Sequence, residues 1–316
     1  MYSNTSGNYN AAFGYQALEQ NTTASNNTAF GYQTLEANTT GTQNVAVGAN
    51  ALDANTTTNE NVAIGYESLS SALTGGANVA VGSYALQDNT AAHNTAVGRM
   101  SLLENTSGTR NTALGSAALE NNTTADDNVA VGYEALMSNT TGYDNTAIGS
   151  AALDACTTGY ENVAVGKGAG SSLTTANSLC AVGFEAALNT TVSDITAFGH
   201  KALRANTTGN NNTALGRKAM EALTTGDNNT AVGGLSLQTA TTANHNTCIG
   251  YQSGRRITTA QRNTLMGVQA GEDITTAENN TAVGADALKE LTTGADNTAV
   301  GREALQYCTT GYHNTA

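Results

Sequence analysis

A repeat of 17 residues runs through the whole chain, and it constrains the fold more than any other feature. With the Asn of Asn-Thr-Ala-Val-Gly as position 1, rungs begin at 10, 27, 44, 61, 78, 94, 111, 128, 145 and 162. They continue at 179, 195, 212, 229, 246, 263, 280, 297 and 314. The rungs that start at Asn78 and Leu179 are one residue shorter. No linker interrupts the series, so residues 1–316 read as a single continuous array.

The columns of this register map environments. Position 5 is Gly in all 18 complete rungs, from Gly14 to Gly301. Position 3 is Ala except at Cys248 and Leu265, position 8 is always Ala, Ser or Thr, and position 9 is Leu in 13 rungs. All 37 Asp, Glu, Lys and Arg fall at positions 6 and 7, 10 and 11, or 16 and 17. Unpaired charges are almost never buried, so those three windows face water and the stretches between them face something dry.

Position 12 belongs to the dry set. Where position 9 is Gly170, Gly254 or Gly271, position 12 changes from Asn to Leu173, Ile257 or Ile274. Elsewhere it is Ala72, Ala240, Cys156, Cys308, Leu223 or Leu291. A site that compensates its neighbour's lost volume points inward. The Asn common there can stack as a hydrogen-bonded ladder.

Seventeen residues cannot hold a helix pair with its turns, and the β-branched positions 2 and 4 argue for strands. The fold class expected is all-β: a β-solenoid, or β-roll, of about 18 rungs. At about 4.8 Å per rung it would be a rod of roughly 86 Å. Positions 2 and 4, Thr or Val followed by an aliphatic or Phe, are expected inside. Ala and Gly at positions 3 and 5 are expected on a second dry face, where another backbone approaches closely. Two bulky aliphatics per rung are few, which points to association of identical chains.

The segments NVAVG (44–48), NVAIG (61–65) and NTAVG (94–98) resemble the head repeats of trimeric autotransporter adhesins. The longer unit NTAFGYQTLEANTTG (27–41) is similar to repeat arrays of phage tail fibres and bacterial fibre proteins. The resemblance implies a parallel homotrimer on the virion surface or outside the cell. The period of 17 departs from the roughly fourteen of the adhesin heads. The chain starts and stops partway through a rung, as expected of a segment of a longer fibre or of ends that stack on neighbouring molecules.

Other chemistry finds little support. Net charge is −13, with 25 acids and 12 bases, which excludes clustered phosphate neutralisation and hence nucleic acid as a partner. No apolar run reaches the 18 residues of a membrane span. His93, His200, His245 and His313 stand singly at corners, without a second metal ligand at suitable spacing. Segment 166–171 lacks the phosphate-loop spacing. No acid–base pair or nucleophile set stands out, so no catalytic, metal or cofactor residue is assigned and the chain is not read as an enzyme. Cys156, Cys180, Cys248 and Cys308 read as small buried hydrophobes, with an interchain bridge between symmetry mates as the alternative.

Two weaker ligand readings concern surface groups. Tyr15, Tyr32, Tyr66, Tyr133 and Tyr251 at position 6, joined by Phe184, offer a weak glycan contact, although such rings more often cover a corner. The triplets at Asn21, Asn38 and Asn122 match glycosylation sequons but sit at the inward position 12.

The function expected is a structural fibre segment of a phage tail fibre or secreted bacterial adhesin. It would supply reach and rigidity and present a contact for a cell-surface glycan or protein receptor. A subunit of a self-assembling filament joined end to end is the alternative. An ice-binding solenoid, with Thr ladders at positions 13 and 14, is third.

Overall fold

The computed structural model describes residues 2–71 and 74–316, so position-12 Ala72 lies outside the described residues. The chain forms two compact units, Met1–Tyr160 and Glu161–Ala316. The protein is an all-β parallel β-solenoid with one short strand per rung.

In the first unit the strands are β1 (Ala11–Phe13), β2 (Thr28–Phe30), β3 (Val45–Val47), β4 (Val62–Ile64), β5 (Val79–Val81), β6 (Thr95–Val97), β7 (Thr112–Leu114), β8 (Val129–Val131) and β9 (Thr146–Ile148). Each is parallel to the next and in register, so that Ala12 pairs with Ala29 and Ala29 with Ala46. The short rung keeps the register by pairing Val79 with Thr95.

The second unit repeats the scheme. Its strands are β10 (Val163–Val165), β11 (Cys180–Val182), β12 (Thr196–Phe198), β13 (Thr213–Leu215), β14 (Thr230–Val232), β15 (Thr247–Ile249), β16 (Thr264–Met266), β17 (Thr281–Val283) and β18 (Thr298–Val300).

Position 5 ends each strand. Gly14 has φ +133°, and a Cβ on it would lie 2.1 Å from the carbonyl oxygen of Gly31. The close backbone approach expected at this column is therefore that of the next rung of the same chain.

Overlapping four-residue turns follow. Ala17 N–H donates to Gly14 O, Glu19 N–H to Gln16 O and Asn21 N–H to Leu18 O, at 3.4, 3.3 and 3.4 Å. Gln16 and Leu18 are the third residues of the first two turns, with φ of 56° and 49°. Positive φ at that place is what a type II turn requires. A left-handed Leu costs roughly 1–2 kcal/mol, and the complete burial of Leu18 offsets it. Backbone bonds also join rungs along the turn side, as from Leu18 N–H to Thr34 O at 3.0 Å.

The interior matches the column map at positions 8, 9 and 12. Leu18, Leu35, Leu52, Leu119 and Leu136 are fully buried. The position-12 ladder forms: Asn38 Nδ2 donates to Asn21 Oδ1 at 3.1 Å, and Asn55 Nδ2 to Asn38 Oδ1 at 3.0 Å. A second ladder lies at position 1, where Asn44 N–H donates to Asn27 Oδ1 (2.9 Å) and Asn61 N–H to Asn44 Oδ1 (3.0 Å). Among the described charged residues only Glu272 is buried, and Arg255 pairs with it at 3.4 Å.

The strand itself is turned the other way from expectation. Position 3 points inward, with Ala46, Ala63 and Ala80 at 0% exposure, and positions 2 and 4 point out. The reason is room. The leucine column at position 9, the small residues at position 8 and the two Asn columns already fill a narrow coil, leaving space beneath the strand for a methyl group. The dry face of Ala is thus the chain's own core, and the bulkier residues at positions 2 and 4 form its outer wall.

Candidate functional site

The outward strand face is the surface that most needs an explanation. No charged residue occurs at positions 1–5 of any rung. In the first unit position 4 presents Phe13, Phe30, Val47, Ile64, Val81, Val97, Leu114, Val131 and Ile148. Phe13 is 70% exposed and Leu114 48%. In the second unit Phe198, Leu215, Met266 and Val300 are exposed at the same position. Nine rungs at about 4.8 Å, each about 10 Å wide, give roughly 430 Å² per unit. Because position 2 is Thr in 11 of the 18 complete rungs, only the position-4 share of that area is apolar throughout, a continuous stripe of the kind that is often functional.

Sequence reasoning missed this face because it took bulk for burial. The available signal was compensation. Position 4 varies from Val to Phe with no answering change elsewhere in the rung, as an outer surface allows. Position 9 falls to Gly only where position 12 gains an aliphatic side chain, as a core demands.

The position-6 tyrosines do not converge on one site. Tyr15 and Tyr32 stack at 5.5 Å with planes 13° apart, beside Phe13 and Phe30 at 4.9 Å and 10°. Stacked rings turn their faces toward each other along the array and present edges to solvent, which leaves less ring face for a sugar. Tyr66 meets Tyr84 edge-on at 5.4 Å, and Phe184 stacks on His200 at the same distance. Tyr133 and Tyr251 are exposed on separate rungs. Hydrogen bonds to Glu67 and Glu134, with the repulsion of those carboxylates, raise the Tyr66 and Tyr133 phenol pKa values.

The sequon asparagines are committed to the core. Asn21, Asn38 and Asn122 are fully buried, and Asn122 Nδ2 donates to Asn105 Oδ1 at 2.8 Å. Of the adjacent threonines, position 13 uses its hydroxyl between rungs, as Thr39 Oγ1 does toward Thr56 O (3.1 Å). Thr40 at position 14 faces water. Position 13 is also exposed at Thr106, Thr207 and Thr241, with its hydroxyl held by the next rung, and at position 14 Thr74 likewise donates to Thr90 O.

The cysteines divide. Cys156 and Cys248 are buried, and desolvation raises both thiols, that of Cys156 to about 11. Cys180, at position 2 of β11 on the outward face, and Cys308, at position 12 of the last complete rung, are half-buried, which departs from their expected place in the core. Among the described residues no group of three or more His, Cys, Asp and Glu is arranged to hold a metal ion. No helix among them is long and apolar enough to cross a membrane.

One open concavity, about 440 Å³, is lined by Thr57, Thr58, Glu60, Thr74 and His93 among others. It lies along the corner that ends rungs 44–60, 61–77 and 78–93.

Neither a protein-family model, nor a curated protein, nor a solved structure matches this chain at a significant level.

Proposed function

We propose that the protein is a structural, non-enzymatic fibre segment in which identical chains pack through their outward strand faces. The observation that carries this reading is the charge-free outer wall, in which an apolar column at position 4 runs beside mostly Thr or Val at position 2. An uncharged, regularly ridged surface suits a second copy of itself, because small and medium aliphatics at a fixed spacing can interdigitate along the array. Three chains in parallel is the arrangement implied by the resemblance to adhesin heads. The same resemblance supports a place in a phage tail fibre or secreted bacterial adhesin, outside the cell or on the virion surface. There the stacked rungs would supply reach and rigidity, and exposed corners would meet a glycan or protein receptor.

Electron microscopy of the purified protein tests the fibre reading. Discrete short rods of uniform length are expected. Micrometre-long threads would instead support the end-to-end filament. Position-13 hydroxyls such as those of Thr106 and Thr207 are tied to the next rung, which favours the fibre over an ice-binding face, and absence of thermal hysteresis is the expected result.

A further inference from the structure

The two edges of the outward strand face differ in charge, most clearly in the second unit. Position 6 lies along one edge and never holds an acid, although acids outnumber bases 25 to 12 in the chain. It holds Arg99, Lys167, Arg217 and Arg302, although position 7 beside this edge adds Glu67, Glu134, Glu185, Asp286 and Glu303 against Lys201 and Lys218. The residue just before position 1 lies along the other edge, and there six acids stand against the two bases Arg110 and Arg262. These six are Glu60, Asp127, Asp144, Glu161, Asp194 and Asp296, all exposed.

The two columns are also matched rung by rung. Every one of the six acids shares its level with a hydrogen-bond donor at position 6. Glu161 is opposite Lys167, Asp194 opposite His200 and Asp296 opposite Arg302. In the first unit Glu60, Asp127 and Asp144 are opposite Tyr66, Tyr133 and Ser150. There Arg110 already pairs with Asp127 at 2.6 Å and the two phenols bond Glu67 and Glu134, so the charged match rests on the second unit. The members of each pair are six residues apart across an extended strand, up to about 20 Å. Among the described residues no ion pair joins Glu161 to Lys167 or Asp296 to Arg302; Arg302 meets Glu303 at 2.8 Å and Asp296 lies 4.0 Å from His313. Matching at such a distance has no use within one chain.

Between chains it has one. We infer that copies associate in parallel at equal height, with the position-6 edge of one chain against the acidic edge of the next. This inference rests on the parallel self-association proposed above and adds the seam, that is, which edge of one chain meets which edge of the next. A rotation axis along the stacking direction brings unlike edges together, Lys167 of one copy beside Glu161 of its neighbour. A two-fold axis along the strands reverses the copies and brings like edges together, setting acids against acids. Electrostatic complementarity fixes such a register even where each exposed pair adds little affinity.

Sedimentation equilibrium of charge variants tests it, with thermal melts to verify folding. Glu161→Lys/Asp296→Lys makes both edges positive at those two levels, and Lys167→Glu/Arg302→Glu makes both negative. Each double variant is expected to weaken association about tenfold at low salt, with the difference shrinking in 1 M salt as screening shortens to about 3 Å. The quadruple swap exchanges the edges, and it is expected to return within about threefold of wild type because unlike charges meet again. Doubles that associate like wild type, or a quadruple no better than the doubles, overturn the parallel seam while leaving self-association intact. A monomeric wild type overturns both.

Discussion

Leu265 and Gly254 share one volume: a Cβ on Gly254 would lie 3.0 Å from Leu265 Cδ1 and 2.8 Å from Cys248 Sγ. Leu265 is the one Leu at position 3, and Gly254 and Gly271 stand where most rungs carry Leu. A Cβ on Gly271 would meet both Leu265 methyl groups at 2.9 Å. The core here has been rebuilt by moving a side chain from the turn to the strand at nearly constant volume. Gly254 and Gly271 keep the left-handed φ of the Leu column, at 58° and 57°.

Leu265→Ala is therefore expected to empty a cavity that its neighbours cannot fill, costing about 2–5 kcal/mol in denaturant unfolding. Gly271→Leu alone overpacks against Leu265 and Ile274 and costs about 1–3 kcal/mol. The double variant restores much of the common rung and is expected to be more stable than the sum of the singles. Strict additivity would contradict the shared volume.

Asn38 occupies the middle of the position-12 ladder, bonded to Asn21, Asn55 and the Gly41 carbonyl. Asn38→Ala leaves Asn21 Oδ1 and part of the Asn55 amide without partners and is expected to cost about 3 kcal/mol. Among the described residues Asn206 has only Thr190 Oγ1 (2.9 Å) and the Gly209 carbonyl as side-chain partners, so Asn206→Ala is expected to cost less. Equal losses by chemical denaturation would argue against a cooperative ladder.

Gly48→Ala tests the spacing of rungs. Its Cβ would come within 2.4 Å of the Gly65 carbonyl oxygen, whereas a Cβ on Gly301 meets nothing within 4 Å. Both have strongly positive φ, 131° and 135°. Backbone strain alone should make Gly301→Ala cost about 1 kcal/mol, and the added clash should make Gly48→Ala cost more than about 3 kcal/mol. The difference in melting transition between the two variants measures the close approach.

Asp53 gives a pH dependence. Its Oδ1 is buried without a hydrogen-bond partner, and desolvation, then the charges of Glu36 and Glu67, raise its carboxyl pKa. A raised folded-state pKa means that this group contributes stability below the unfolded carboxylate range and loses it as pH climbs through the raised value. Asp53→Asn removes the penalty, so it is expected to be more stable than wild type at pH 7 by about 0.5 kcal/mol after solvent screening. Thermal melts from pH 7 to pH 3 should show that advantage vanish as Asp53 protonates. An advantage that persists at pH 3 would assign the effect to packing.

The residues that were legible and those that were not differ for a physical reason. Charged corners announce themselves, because burying Glu19 or Asp53 fully would be prohibitive. The inward Leu173, Ile257 and Ile274 revealed position 12 through their exchange with Asn. The strand carried no such marker: neither Ala46 nor Val47 has a charge, so only size remained, and size suggested the wrong face. The left-handed φ of Leu18 and its column was equally hidden, since nothing in a Leu side chain signals a conformation held by burial alone. The position-1 ladder escaped notice because Asn44 and Asn61 also suit a turn. Self-complementary edges, by contrast, were visible in the sequence but had meaning only once Val47 and its column were seen to face outward.

Native mass determination over a range of concentrations tests the outward face most directly, on wild type and on Val81→Lys/Val131→Lys. The account predicts a wild-type particle that is a multiple of 32.0 kDa, with three copies expected, and a folded variant shifted toward the single chain. Wild type remaining at 32.0 kDa throughout, or a lysine variant that assembles as tightly as wild type, would contradict it.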